Sequence, residues 1–172
     1  MRRLLLVPVL ALAVSAALAA PAGAGDQRAS VHGGVSVVLP AGWHLVRGRL
    51  SEVVDPIPRL AAATFPAHLS AHECECGFPH VLHFPRTGAF VFVWEYPVLG
   101  PRDLKTFPKH EAHFHIGRSA IKASTCAGAG DGRVFREAGR GYQVEIYLGP
   151  DAPATARAQI AAILDSWRVT PT

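Results

Sequence analysis

The chain has 172 residues, 49% of them hydrophobic, and its 17 basic and 13 acidic side chains give a formal net charge of +4. The lysines and arginines are scattered and form no concentrated basic stripe, so nucleic acid is not an expected partner. Apart from residues 1–24, no apolar run is long enough for a transmembrane helix.

Residues 1–24 have the three parts of a secretory signal. Arg2 and Arg3 give a charged start, 4–19 form an apolar stretch, and 22–24 provide a small-residue cleavage site. We therefore expect a secreted protein, in the extracellular or cell-envelope space, with no stable membrane span after cleavage. A signal retained as an anchor is the alternative.

The remaining chain has the length of a single domain. Residues 25–33 are polar and are predicted to form a loose leader, so the folded domain is expected over 34–172. In 34–39 the apolar positions alternate around a serine, which predicts the first strand. Trp43 follows a turn and is expected to anchor the core at the start of a second strand.

The next segments are punctuated by prolines. Residues 60–65 lie between Pro58 and Pro66 and predict a short strand. A surface loop carrying histidine and cysteine is expected over 67–77, and 78–84 fits a short helix beginning near a proline.

The central strand is predicted over 88–97, where β-branched and aromatic residues lie between a glycine and a proline. Its even positions would place four large rings on one face, and its odd positions would make the other face small and apolar. The ring positions are Phe90, Phe92, Trp94 and Tyr96. Such a strand is tolerated only where both faces are covered.

The three cysteines predict one disulfide, because the signal directs the chain to an oxidising compartment. Cys126 would pair with Cys76, and Cys74 is the alternative partner. One thiol would remain free. A redox role for the pair is disfavoured because the neighbouring Glu73 and Glu75 raise a thiol pKa.

Residues 110–116 alternate and predict a half-exposed strand, on which His113 and His115 share one face. Their Cα atoms would lie about 6 to 7 Å apart, close enough for one zinc or copper ion. His110 is the third candidate ligand. Further candidates, if the two loops meet, are His72, Cys74, Cys76, His80 and His83. The alternative is a polar strand face whose histidines bind nothing.

A hairpin is predicted from 133–137, a tight turn at 138–140 and a strand at 141–148. The core positions of the returning strand are Tyr142, Val144, Ile146 and Leu148. Arg133, Arg136 and Arg140 crowd this hairpin and could attract an acidic surface or anionic lipid headgroups. Solvated charge of mixed sign is the competing interpretation.

A closing helix is expected after Asp151, which would serve as its N-cap. Its apolar stripe comprises Ala156, Ile160, Ile163, Leu164 and Trp167. We expect this stripe to lie across the aromatic face of the central strand. The fold class is therefore α+β, with a mostly antiparallel sheet of four to six strands and the C-terminal helix packed across one face.

Two segments resemble PsbP/Mog1-like domains. Residues 35–43, VSVVLPAGW, are similar to the opening strand of that family, and 160–169, IAAILDSWRV, are similar to its final helix. The central strand, the Cys76 segment and the hairpin resemble small secreted actinobacterial proteins with no assigned activity. These resemblances imply an antiparallel sheet flanked by helices and an accessory or binding role. They carry over no catalytic or ligand residues.

The expected function is a secreted, non-catalytic binding or accessory module without a cofactor, whose partner is an extracytoplasmic protein or a small ligand. One alternative is a zinc- or copper-binding protein that uses the histidine face. A hydrolase is the other alternative, although no serine lies in a GxSxG frame and no helical HExxH is present.

Overall fold

The computed structural model describes residues 25–48, 50, 55–69, 81–97, 99–117 and 133–170. The signal segment and all three cysteines lie outside these residues, as do Glu73 and Glu75. In chain order the elements are β1 (Gln27–Val31), β2 (Val35–Leu39), β3 (His44–Leu45), β4 (Ile57–Ala63), β5 (His68–Leu69), β6 (Val81–Leu82), β7 (Ala89–Tyr96), α1 (Pro101–Leu104), β8 (Arg133–Glu137), β9 (Arg140–Leu148), α2 (Thr155–Asp165) and β10 (Arg168–Val169). Neither described helix is long and apolar enough to cross a bilayer.

The main sheet has five antiparallel strands in the order β3-β4-β7-β9-β8. Strand β7 lies at its centre, with Val93 opposite Leu60 of β4 on one side and opposite Val144 of β9 on the other. This arrangement confirms the predicted α+β fold with a mostly antiparallel sheet and a C-terminal helix. The strands predicted within 60–65 and 88–97 are also confirmed.

A second sheet has the order β1-β2-β10, and β5 and β6 form a separate hairpin. The interpretation of residues 25–33 as a loose leader is wrong, because 27–31 form β1, which pairs with β2 along its whole length. Only Ala29 of that strand is buried, and Ala29 and Val31 are its only apolar residues, so the sequence marks the strand weakly. For 78–84, the described part contains strand β6 rather than a helix.

The two faces of β7 belong to different hydrophobic clusters. The even-numbered rings pack with Val46, Phe65 and Tyr147, whereas Ala89, Val91 and Val93 pack with helix α2. The prediction that the helix covers the aromatic face is therefore wrong. The small odd-numbered side chains leave space for bulky groups on the helix side, including Phe135 and Trp167, whose ring centroids lie 5.7 Å apart.

The helix stripe itself is confirmed, because all five of its predicted positions are buried. Asp151 is not the N-cap: helix α2 begins at Thr155, and its N-cap is Ala154 without a side-chain cap. Asp151 instead accepts a hydrogen bond from Nε of Arg86 at 2.6 Å. Trp43 is buried as predicted, and its indole N–H donates to Gln159 on α2.

The β8–β9 hairpin is confirmed, and its tight turn has positive φ at Ala138 (49°) and Gly139 (76°). Positive φ at two successive turn residues matches the right-handed twist of the flanking strands. This turn sets the β8–β9 register, which places Phe135 opposite Tyr142, and the pairing of β9 with β7 places Tyr142 opposite Glu95.

Candidate functional site

A buried carboxylate interrupts the apolar helix-side face of the central strand. Glu95 follows Val93 on that face, and only 4% of the residue is exposed. A charge taken out of water is costly unless it is paired and hydrogen-bonded. The residues that neutralise Glu95 are therefore the starting point for describing the site.

Two arginines bind Glu95, one from each neighbouring strand. Arg59 of β4 donates from Nε to Oε2 at 2.5 Å, and Arg140 of β9 donates from Nε to Oε1 at 2.8 Å. Nη2 of Arg140 also donates to Oε2. The pairing of β4 with β7 shifts register between Pro58 and Leu60, so Arg59 is the extra residue of a β-bulge. Bulges redirect side chains, which accounts for the approach of Arg59 to Glu95.

The cluster is fixed in its ionised form. Burial alone raises the pKa of Glu95, but the hydrogen bonds and charges of Arg140 and Arg59 outweigh burial and lower that pKa below its ordinary value. The hydrogen bond to Glu95 in turn raises the pKa of Arg140. Two cations and one anion remain, so the cluster carries one net positive charge.

Arg140 also joins the two sheets. Its Nη1 donates to the backbone carbonyl of Gly33 at 2.7 Å, and its guanidinium lies 5.6 Å from the ring centre of Tyr142. Gly33 has a positive φ of 79°, and a Cβ at this position would lie 2.6 Å from Cζ and Nη1 of Arg59. Only glycine permits so close an approach of the backbone to the Arg59 guanidinium.

A cavity of about 420 Å³ adjoins the cluster on the side of Arg59. This volume falls in the range of small-molecule pockets. Its lining comes from the end of β1, from β3 and the segment after it, and from β4. These residues are Ser30, Val31, His32, Leu45, Val46, Arg47, Gly48, Leu50, Arg59 and Ala61. Among the described residues that line the cavity, the charged ones are Arg47 and Arg59, and none is an aspartate or glutamate.

Within the described residues, one edge of the Arg59 guanidinium is hydrogen-bonded and the other is not. Nε is held by Glu95, whereas neither terminal nitrogen has a hydrogen-bond acceptor within the described part of the chain. The side chain is 14% exposed, and it lines the cavity. A guanidinium that is oriented by an internal carboxylate can bind an anion with little loss of side-chain entropy.

The histidine candidates are arranged differently from the sequence prediction. Residues 110–116 form no strand. The nearest sheet-like contact is an isolated bridge between Lys109, just before them, and Arg136 of β8. The backbone N–H of His110 donates to the carbonyl oxygen of Arg136 at 2.9 Å. Further along the segment, Asp165 of α2 accepts a hydrogen bond from the Phe114 backbone N–H at 2.7 Å. The geometric basis for a shared face of His113 and His115 is therefore wrong.

The three histidines have separate environments. Nε2 of His110 lies 2.9 Å from the carbonyl oxygen of Leu164, and its Nδ1 lies 3.6 Å from Glu137. The side chain of His113 is 84% exposed, and its Nδ1 lies 3.6 Å from Asp165. His115 is exposed. Within the described ranges, no group of three or more histidine, cysteine or acidic side chains is placed to hold a metal ion.

Of the additional candidate ligands, only His83 lies within the described residues. His83 is described and lies just after β6 with a positive φ of 54°. His72, Cys74, Cys76 and His80 lie outside the described residues. The predicted Cys76–Cys126 disulfide, with Cys74 as the alternative partner, also lies outside them and stays a prediction.

The crowded hairpin arginines do not act together. Arg140 turns inward to Glu95, whereas Arg136 donates from Nη1 to the carbonyl oxygen of Leu104 at 3.0 Å.

Sequence reasoning missed Arg59 and Glu95. The available signal was the single glutamate in an otherwise apolar central strand, since charged side chains are seldom fully buried unless they are paired.

Comparison of the chain with protein-family models, curated proteins and solved structures finds no match. The resemblance to PsbP/Mog1-like domains therefore stays a prediction.

Proposed function

We propose that this chain is a secreted, non-catalytic binding module whose small-molecule ligand occupies the cavity beside Arg59. The observation that carries the proposal is the position of Arg59. Its Nε is fixed by buried Glu95, and the same side chain lines a cavity of about 420 Å³. Apolar walls with a few well-placed polar groups are typical of ligand pockets.

The ionisation of the cluster favours binding over proton transfer. A general acid or base works best when its pKa lies near the operating pH. The arginines lower the pKa of Glu95 below its ordinary value, and the arginines themselves stay charged. The cluster therefore supplies a permanent charge at a fixed position and does not exchange protons near neutral pH.

The secreted part of the proposal is supported by residues 1–24 of the sequence. Mass spectrometry of the exported protein tests it. We expect a mature N-terminus at Gly25 and a mass that reports one disulfide. A chain retained with its first residues intact would contradict cleavage, and a fully reduced chain would contradict the disulfide.

Nuclear magnetic resonance spectroscopy with a library of small fragments tests the binding part. Amide resonances of Ser30, Val31, Arg47 and Ala61 should shift with fragments that enter the cavity, because these residues line it. Amides of α2 should shift little.

A blocking variant and a matched control make the test specific. Ser30 is exposed and lines the cavity, so Ser30→Trp should fill it and abolish the shifts. Gln27 is exposed on the same strand outside the lining, so Gln27→Trp should retain them. If no fragment shifts the lining amides, or if Ser30→Trp leaves the shifts unchanged, the cavity is not the ligand site.

A further inference from the structure

The two terminal nitrogens of Arg59 indicate which functional group the ligand carries. Nε is already bound to Glu95, which leaves the two terminal nitrogens as the remaining donors of a side chain that lines the cavity. Two parallel N–H donors in one plane match the two oxygens of a carboxylate. The bond to Glu95 prevents the guanidinium from rotating away, so the planar geometry is set before the ligand arrives.

The charge of the site favours a single negative charge on the ligand. Glu95 offsets one of its two arginines, so the cluster presents one net positive charge. Arg47 also lines the cavity, but it is exposed to solvent, and exposed charges contribute little to a pair. A monoanion is therefore balanced at Arg59, whereas a dianion would leave charge unpaired in a partly apolar cavity.

The walls require an apolar body next to that charge. Half of the lining residues are aliphatic, namely Val31, Leu45, Val46, Leu50 and Ala61. An inorganic anion would leave these surfaces wet and gain nothing from them. A short aliphatic or aromatic group would displace water from them and contribute about 25 cal/mol for each Å² buried.

From these three features we infer that the cavity binds a small organic monocarboxylate, with its carboxylate on the terminal nitrogens of Arg59 and its apolar group against the aliphatic walls. This inference rests on the proposed function, because it names the ligand class of the same cavity. It assigns Arg59 as the residue that determines specificity and Glu95 as the residue that positions Arg59.

Titrations of the mature protein with matched probes test the ligand class. Hexanoate is the carboxylate probe, hexanamide has a similar shape without the charge, and inorganic phosphate has charge without the apolar body. We expect hexanoate to bind more tightly than either by roughly tenfold or more. Arg59→Lys keeps the charge but loses the planar pair of donors, so the advantage of hexanoate over hexanamide should shrink in that variant.

A second measurement does not depend on a variant that folds. The side-chain resonances of Arg59 in the unaltered protein should shift with hexanoate and stay in place with hexanamide. If hexanamide binds the cavity as tightly as hexanoate, the binding module stands and the carboxylate assignment fails. If phosphate binds as tightly as hexanoate, the assignment also fails in favour of a general anion site. If no probe or fragment shifts the lining amides, both proposals fail.

Discussion

Nε of Arg59 lies 2.5 Å from Oε2 of Glu95, although the two residues are 36 positions apart in the chain. The register shift in β4 places Arg59 there, and the centre of the sheet places Glu95 there. The same contact neutralises a buried acid and orients a cation beside the cavity. Stability and the proposed ligand binding should therefore depend on the same residues, and changes at this contact should affect both.

Glu95→Gln should lower the free energy of unfolding by about 3–5 kcal/mol, because removing one partner of a buried ionic group leaves the other charges uncompensated. Urea denaturation measures the loss. Asp151→Asn is the matched control, since the Arg86–Asp151 pair has a similar distance of 2.6 Å but side chains that are 73% and 51% exposed. Asp151→Asn should lower the free energy of unfolding by no more than about 1 kcal/mol. Equal losses would contradict the assigned role of burial.

The contribution of Glu95 should depend on pH in a defined direction. Its pKa in the folded protein is lowered from the ordinary value of 4.5, so the unfolded chain binds the proton first as the pH falls. The stabilisation is fully present above pH 4.5 and is lost as the pH falls through the lower pKa of the folded state.

Urea denaturation of the native chain and Glu95→Gln, from about pH 7 to about pH 3, measures this dependence. The difference in unfolding free energy between them should stay constant near neutral pH and shrink in acid. A difference that grows in acid would show that the pKa of Glu95 is raised rather than lowered.

Much of the fold could be predicted because it depends on local periodicity. The alternation in β7 specifies which side chains share a face, and the stripe from Ala156 to Trp167 specifies which side of the helix is buried. Which face of β7 receives the helix could not be predicted in this way, since both faces are apolar. That choice depends on the volume that Phe135 and Tyr142 add on the helix side, and these side chains come from distant parts of the chain.

The candidate site was less accessible to sequence reasoning. Arg59 reaches Glu95 through a β-bulge, and no residue pattern in 57–63 marks the extra residue. The cavity lies between the end of β1, the segment after β3, and β4, and β1 itself has only one buried residue to mark it as a strand. A site formed by three separate segments requires their pairing to be known.

Replacing His110 and His113 one at a time tests whether they have separate structural roles or bind one metal ion together. His110 hydrogen-bonds the Leu164 carbonyl oxygen, and its ring lies 5.1 Å from those of both Phe114 and Phe135. His110→Ala should therefore lower the free energy of unfolding by about 1–3 kcal/mol, because a buried carbonyl and two rings lose a partner.

His113→Ala is the comparison, because its side chain is 84% exposed. It should change the free energy of unfolding by less than about 0.5 kcal/mol. Thermal melting of both variants, with and without added zinc, measures the effects. Equal losses that appear only with zinc would contradict separate roles and would support the metal site that the sequence pattern predicts.

The effect of the close contact between Gly33 and Arg59 can be measured separately from the effect of the left-handed backbone at Gly33. Gly33→Ala would place a Cβ 2.6 Å from Cζ of Arg59 at a φ of 79°, whereas Gly42→Ala has a φ of 83° and nothing within 4 Å. Both variants should lose about 1 kcal/mol of stability from the left-handed backbone alone. Only Gly33→Ala should displace the guanidinium and weaken hexanoate binding, as titration of both variants would measure. Equal hexanoate affinities in the two variants would show that the position of Arg59 does not control the cavity, because the backbone cost is the same in both and only the contact differs.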